Sequence, residues 1–169
     1  MKTPVLRAIC VLFCFVSATA LAEIQKPASS KDGKYFSANG DPTYNISPDG
    51  TVDWYTFSGF IRYNSECLRC HGPDGMGSSY APALLNSLKT MDYDTFLATV
   101  AQGKQDLGGG QEKVMPSLGL NKNVMCYVED IFVYLKARGD GAVPRNRPEK
   151  HAEKPKSWKN AEDACMGPN

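Results

Sequence analysis

Apolar residues recur every three or four positions in three stretches of this chain, which is the spacing of one face of an α-helix. The first stretch, residues 57–66, places Gly59 and Tyr63 four positions apart on the same side. The second begins after Asp92, whose carboxylate can cap a first helical turn, and ends at Gly103. The third and strongest pattern consists of Val124, Tyr127, Val128, Ile131, Tyr134 and Leu135. Together these stretches predict a helical body.

The segments around these helices carry turn signals instead of helical periodicity. Residues 31–55 combine Asp-Gly and Asn-Gly pairs with interspersed aromatics, which predicts an ordered coat with short hairpin strands. Residues 104–119 are predicted to form a glycine-rich loop. The last helix has Asn121 and Asn123 as capping candidates and should end near Gly139. The Pro-, Lys- and Arg-rich tail beyond it is predicted to be irregular.

The N-terminus has the pattern of a secretory signal peptide. Lys2 and Arg7 form a short positive region, residues 9–16 are apolar, and Ala-Leu-Ala at 20–22 offers a cleavage site. A membrane anchor is not predicted, because spanning a bilayer takes roughly 20 apolar residues and this run is shorter. We therefore expect residues 1–22 to be a signal peptide and the mature protein to be exported.

The charge of the chain argues against one class of function, and its apolar content indicates an incomplete core. The chain is nearly neutral, with 19 Lys and Arg against 18 Asp and Glu, and its basic residues concentrate in the tail. Nucleic-acid binding needs a basic face on the folded domain, so it is not predicted. The predicted helices also hold few apolar residues for a chain of 169 residues. A large apolar group is therefore missing from the predicted core.

The sequence CLRCH carries the most specific chemistry. A zinc site needs four ligands, commonly in two close pairs, but the other two mature cysteines, Cys126 and Cys165, lie far apart. A thioredoxin-type dithiol belongs beside a βαβ pattern, and no such pattern surrounds this pair. Haem attachment fits, because Cys67 and Cys70 can both form thioethers with one haem and carry His71 under the iron. We therefore predict one covalently attached haem c, which also supplies the missing core.

Two further residues complete the predicted iron site. Pro82 offers a carbonyl acceptor that could orient the ring of His71. The other histidine, His151, lies in the charged tail and is interpreted as a surface residue. Met115 is favoured as the sixth ligand, because Pro116 biases it toward an extended conformation within a loop.

Ligation by His71 and Met115 would leave no open position on the iron. The thioether favours Fe(II) and raises the reduction potential relative to two imidazole ligands. These properties predict an electron carrier and not an enzyme. A haem enzyme or gas sensor with a labile Met115 stays open as an alternative.

These residues resemble class I cytochrome c, an all-α fold of three to four short helices wrapped on a covalent haem. The resemblance implies a cytochrome c domain over residues 57–138, an N-terminal extension over 23–56 and a C-terminal basic tail over 139–169. The residues that carry it are, in chain order, Gly59, Tyr63, Cys67, Cys70, His71, Pro82, Leu84, Met115, Pro116, Tyr134 and Leu135.

Nearly the whole mature chain is also similar to the four-cysteine c-type cytochromes of methanol metabolism, the cytochrome c-L-like proteins. The similarity is carried by DPTYNISPDGTVDWYTFSGFIRYNSECLRCHGPDG, SSYAPALLNSL and VMPSLGLNKNVMCYVEDIFVYLKARG. It implies a periplasmic acceptor of electrons from a pyrroloquinoline-quinone methanol dehydrogenase, with the lanthanide-dependent kind favoured. The protein is separately expected to be a monomer. A downstream cytochrome or terminal oxidase would be the acceptor. Another periplasmic dehydrogenase or the respiratory complex stays open as the donor.

With Cys67 and Cys70 assigned to haem by this resemblance, Cys126 and Cys165 are expected to pair. Their disulfide would tether the basic tail to the last helix and close a long loop. Calcium near a propionate, as in some relatives, is not predicted.

Overall fold

The computed structural model describes residues 26–106, 108 and 113–167, so the predicted signal peptide lies outside the described residues. Within them the fold is mostly helical, and no helix is long and apolar enough to cross a membrane. The helices are α1 (Trp54–Glu66), α2 (Leu68–His71), α3 (Leu84–Ser87), α4 (Tyr93–Gln102), α5 (Lys122–Met125), α6 (Val128–Gly139) and α7 (Lys156–Met166), with a 3₁₀ turn at Pro73–Gly75. The strands are β1 (Ser29–Lys31), β2 (Lys34–Phe36), β3 (Pro42–Thr43), β4 (Lys104–Asp106) and β5 (Lys113–Met115).

The prediction of an all-α fold is corrected by these short strands. β1, β2 and β3 form an antiparallel sheet in the predicted N-terminal coat. Asp32 and Gly33 join β1 to β2 with φ values of 54° and 83°, the two positive angles that a tight hairpin turn requires. β4 and β5 form a second hairpin within residues predicted to be a loop, and Lys104 lies opposite Met115.

The predicted helix boundaries hold where a polar side chain caps the first turn. Asp92 accepts from the amide of Thr95 at 2.8 Å, and α4 ends before Gly103 as predicted. α1 begins at Trp54, earlier than predicted, because the carboxylate of Asp53 accepts from the Thr56 amide at 2.9 Å. That cap shows how a single carboxylate determines where a helix begins.

The predicted last helix is divided into α5 and α6. Asn121 caps α5 by accepting from the Asn123 amide at 3.0 Å. Tyr127 then leaves helical geometry, with φ of −131° and ψ of 14°, before α6 begins. α6 ends at Gly139, as the sequence pattern predicts.

The core is built around the crossing of α1 and α6. A Cβ atom on Gly59 would lie 1.9 Å from the backbone oxygen of Asp130, so only glycine permits this approach. Tyr63 on α1 and Tyr134 on α6 are fully buried beside the crossing, with ring centroids 5.6 Å apart. Further buried members of this main core are Leu88, Phe96, Val100, Val124, Val128, Ile131, Phe132 and Leu135.

The prediction of an irregular tail is wrong for its last part, which forms α7. Trp158 on this helix is buried, and its indole Nε1 donates to Oδ2 of Asp130 at 2.8 Å. The predicted disulfide between Cys126 and Cys165 is confirmed, with a Cα–Cα distance of 5.7 Å. A helix with little apolar content is therefore stabilised by one buried indole and one covalent link.

Candidate haem site

The CLRCH segment forms a single helical turn directly after α1. Cys67 ends α1, and Cys70 and His71 lie on α2. Both cysteines have free thiols, Cys67 half-buried and Cys70 exposed. Residues three positions apart on a helical turn lie on the same face, so both sulfurs can reach one planar group.

The competing interpretations of this pair do not fit its surroundings. Burial, together with the charges of Glu66 and Cys70, raises the pKa of Cys67 to about 12. Thiol redox chemistry needs a readily formed thiolate, which a raised pKa disfavours. Cys126 and Cys165 are bonded to each other, so they are not available to complete a four-ligand zinc site.

The imidazole of His71 is buried and held in one orientation. Its Nδ1 lies 3.1 Å from the backbone oxygen of Pro82. A carbonyl can only accept a hydrogen bond, so Nδ1 donates to it, and in a neutral ring this leaves the lone pair on Nε2, where a metal could bind. The contact expected from the sequence is therefore present, and it fixes the orientation of the ring.

The loop behind His71, residues 72–77, is braced by Tyr63. The Tyr63 hydroxyl donates to the backbone oxygen of Gly72 at 2.5 Å and accepts from the amide of Gly75 at 3.0 Å. Burial raises the pKa of Tyr63, so the phenol keeps the proton that it donates. α1 thus positions both the cysteine turn and the loop that follows it.

Met115 lies at the end of β5, and its side chain packs half-buried on the main core. The backbone around Met115 is held by two contacts. Met115 lies opposite Lys104 in the β4–β5 pair, and two residues later the hydroxyl of Ser117 donates to the backbone oxygen of Ala101 at 2.6 Å. Met91 and Met125 also pack on this core, so packing alone does not select the sixth ligand.

Comparisons with known proteins identify the family, although no family model matches the chain. The chain is 50% identical over 140 residues to cytochrome c-553I of Paracoccus denitrificans, covering 83% of this chain and 62% of that protein. It is 39% identical over 100 residues to cytochrome c-555 of Methylococcus capsulatus, covering 59% of this chain and 75% of that protein. The crystal structure of c-type cytochrome XoxG from Methylobacterium extorquens AM1 matches with a TM-score of 0.77 and 52% identity, covering 82% of this chain and 85% of that one.

The chain belongs to the c-type cytochromes. The resemblance read from the sequence is thereby confirmed, and the relatives support the methanol-metabolism group within the family. Proteins of this family carry covalently bound haem c and are electron-transfer proteins, not enzymes.

The donor set of the cytochrome fits haem c. Cys67 and Cys70 supply two free thiols on one turn, and the oriented ring of His71 follows directly. Leu68, Met115 and Leu118 belong to a group of half-buried apolar side chains that pack on the main core. A flat apolar group held by two sulfurs would cover such side chains, so the residues present match the group that the family carries.

His151 of the cytochrome is exposed, as the sequence suggests, but it is not an isolated surface side chain. Its ring stacks on Phe57 with centroids 3.8 Å apart and meets Trp54 edge-on at 5.5 Å. Its Nδ1 lies 2.9 Å from the oxygen of Ala152. His151 therefore helps to fasten the tail to α1.

Sequence reasoning missed one long-range contact in the loop behind His71. Asp74 in the loop behind His71 is buried and accepts from Nε of Arg145 at 3.1 Å. The two residues are 71 positions apart, so no local pattern links them. The only signal was the placement of an acidic residue within the HGPDG segment.

Proposed function

We propose that this cytochrome carries single electrons from a pyrroloquinoline-quinone methanol dehydrogenase toward a downstream cytochrome or terminal oxidase. The observation that carries the proposal is the pair of free thiols followed by an oriented, buried imidazole. The assignment of methanol dehydrogenase as the electron donor is supported by relatives that come from methylotrophic bacteria. The chain spans 62% of the length of cytochrome c-553I.

Four residues would hold one haem c in this proposal, and a fifth would orient one of them. Cys67 and Cys70 would bind it through thioethers, His71 through Nε2 and Met115 through its sulfur, while Pro82 keeps the His71 ring oriented. When bound, haem supplies a one-electron couple whose potential depends on its axial ligands and surroundings. If His71 and Met115 both ligate the iron, no position would be left open, so electron transfer would be favoured over oxygen or substrate binding.

The proposed organisation follows from this site. Residues 57–138 would form a class I cytochrome c domain, preceded by a signal peptide over 1–22 and an extension over 23–56. The tail over 139–169 would complete a monomer that works in the periplasm, where bacterial c-type cytochromes are typically found. Calcium is not part of the proposal.

The function is tested by mixing the matured ferric cytochrome with substrate-reduced methanol dehydrogenase in a stopped-flow spectrometer. A reduced quinone cofactor holds two electrons, so each dehydrogenase should reduce two cytochrome molecules. We expect rapid reduction that slows as salt is added, because charged surfaces steer such encounters. A reduced quinoprotein dehydrogenase of another substrate serves as the matched control. Slow, salt-insensitive reduction, or equal rates with both donors, would contradict the assigned donor.

A further inference from the structure

Asp74 is a buried carboxylate in a backbone conformation that a non-glycine residue seldom adopts. Its φ is 57° and its ψ is 20°, and its side chain is 6% exposed. Such a conformation is strained and persists only where surrounding contacts enforce it. Oδ2 accepts from Nε of Arg145 at 3.1 Å, and Oδ1 accepts from the amide of Asn146 at 3.0 Å. These two contacts hold Asp74 in place.

Both donors come from the C-terminal strap, which we define as residues 140–155. The side chain of Arg145 is 63% exposed, so its charge reaches the buried carboxylate from the solvent side. Farther along, the strap is fastened to the coat by two backbone hydrogen bonds, Val52 to Lys150 at 3.2 Å and Ala152 to Val52 at 2.8 Å. The cytochrome therefore neutralises a buried charge with a residue from a separately anchored segment.

The loop that contains Asp74 is coupled to the orientation of the imidazole. Its last residue, Gly77, donates to the backbone oxygen of His71 at 2.8 Å. A Cβ on Gly77 would lie 2.7 Å from the amide nitrogen of Ala83 and 3.1 Å from the carbonyl carbon of Pro82. The backbone of Gly77 therefore passes close to the peptide group between Pro82 and Ala83, whose carbonyl oxygen holds Nδ1 of His71. A shift at Asp74 would be passed to the ring through backbone contacts.

We propose that Arg145 is a positioning residue which, by anchoring and neutralising Asp74, holds the loop behind His71 and keeps the haem reduction potential from falling. This inference rests on the proposed function, since it concerns the haem that His71 would ligate. Without Arg145 the buried carboxylate keeps its hydrogen bond from the Asn146 amide but loses its cation, and its negative charge would stabilise the more positive, oxidised iron. Without the carboxylate, the remaining cation favours the reduced iron. The two single losses therefore have opposite signs.

The test uses the matured holoprotein and four variants: Arg145→Gln, Asp74→Asn, the double variant, and Arg147→Gln. Arg147 is the matched control, because it removes the same charge from the strap but lies over the ring of Phe57 instead of near Asp74. Midpoint potentials are measured by spectroelectrochemical titration. Arg145→Gln should lower the equilibrium constant for electron uptake at least threefold. For a one-electron couple this corresponds to a midpoint potential about 28 mV lower. Asp74→Asn should shift it upward, and the double variant should return close to the native value.

The inference is overturned if Arg145→Gln and Arg147→Gln shift the potential equally, or if the two single variants shift it in the same direction. If Arg145→Gln does not mature, Asp74→Asn decides alone: a raised potential supports the inference, and an unchanged or lowered one overturns it. Arg145→Lys should recover part of the native potential. A native protein that binds no haem would instead refute the proposed function, so the two failures are distinguishable.

Discussion

Removing the disulfide is expected to destabilise the cytochrome mainly through its unfolded state. The perturbation is the double substitution Cys126→Ser and Cys165→Ser, which leaves Cys67 and Cys70 intact. The folded position of α7 should survive, because Trp158 still donates to the buried carboxylate of Asp130. What changes is the unfolded chain, which is no longer closed into a loop.

The size of this effect follows from the loop that the disulfide closes. The two cysteines are 39 positions apart. For a loop of that length the chain-entropy relation gives about 13 cal/mol/K, or about 4 kcal/mol at 25 °C. A small protein loses roughly 2 kcal/mol of stability per molar urea, so the unfolding midpoint should fall by about 2 M.

The assay is urea unfolding of the matured protein, followed by the fluorescence of Trp54 and Trp158. As a matched control, the native protein and the double variant are compared in the same excess of reductant. Reductant opens the disulfide but not thioethers, so the two proteins should then unfold at the same urea concentration. A loss below about 1 kcal/mol without reductant would refute the loop-closure reasoning, given the 2–4 kcal/mol typical of disulfides.

Three further predictions concern the iron site, the helix crossing and a buried carboxyl. Met115→Ala should abolish the far-red thioether-to-iron band and allow rapid carbon monoxide binding by the ferrous protein. The control variant Met125→Ala should retain the band. If the band survives in Met115→Ala, another residue is the ligand. Gly59→Ala should cost about 3 kcal/mol in urea unfolding, because its Cβ would lie 1.9 Å from the Asp130 oxygen, and a cost below 1 kcal/mol would be inconsistent with that contact. Burial raises the pKa of Asp130 to about 7, above an unfolded value of about 3.9. The proton bound to Asp130 therefore contributes its full stabilisation below pH 4, and this stabilisation is lost as the pH rises through 7. Asp130→Asn should therefore flatten the fall in urea midpoint between about pH 4 and pH 7, and an unchanged pH slope would show that another group titrates.

The parts of the fold that the sequence predicted are those determined by local physics. The cap at Asp92 and the end of α6 at Gly139 depend on residues within one helical turn. α7 was missed because its stability comes from the contact between Trp158 and Asp130, 28 positions apart, and from a disulfide. The β4–β5 hairpin was missed because its glycine-rich residues carry no strand periodicity.

The same distinction applies to the site. Cys67, Cys70 and His71 lie within five positions and their chemistry is specific, so a short motif was enough to propose them as the haem-binding residues. The contact of His71 with Pro82 could be anticipated from spacing within one loop. The pairing of Asp74 with Arg145 could not, because it depends on where the tail packs against the folded body.

The most direct test of a covalent haem is the intact mass of the protein purified from a host that matures c-type cytochromes. The predicted mass is that of the polypeptide without residues 1–22 plus one haem, and it should survive acid and organic solvent because thioethers hold the group. Replacing Cys67 and Cys70 with Ser should remove the added mass. A colourless native protein with the mass of its amino acids alone would contradict the proposed site.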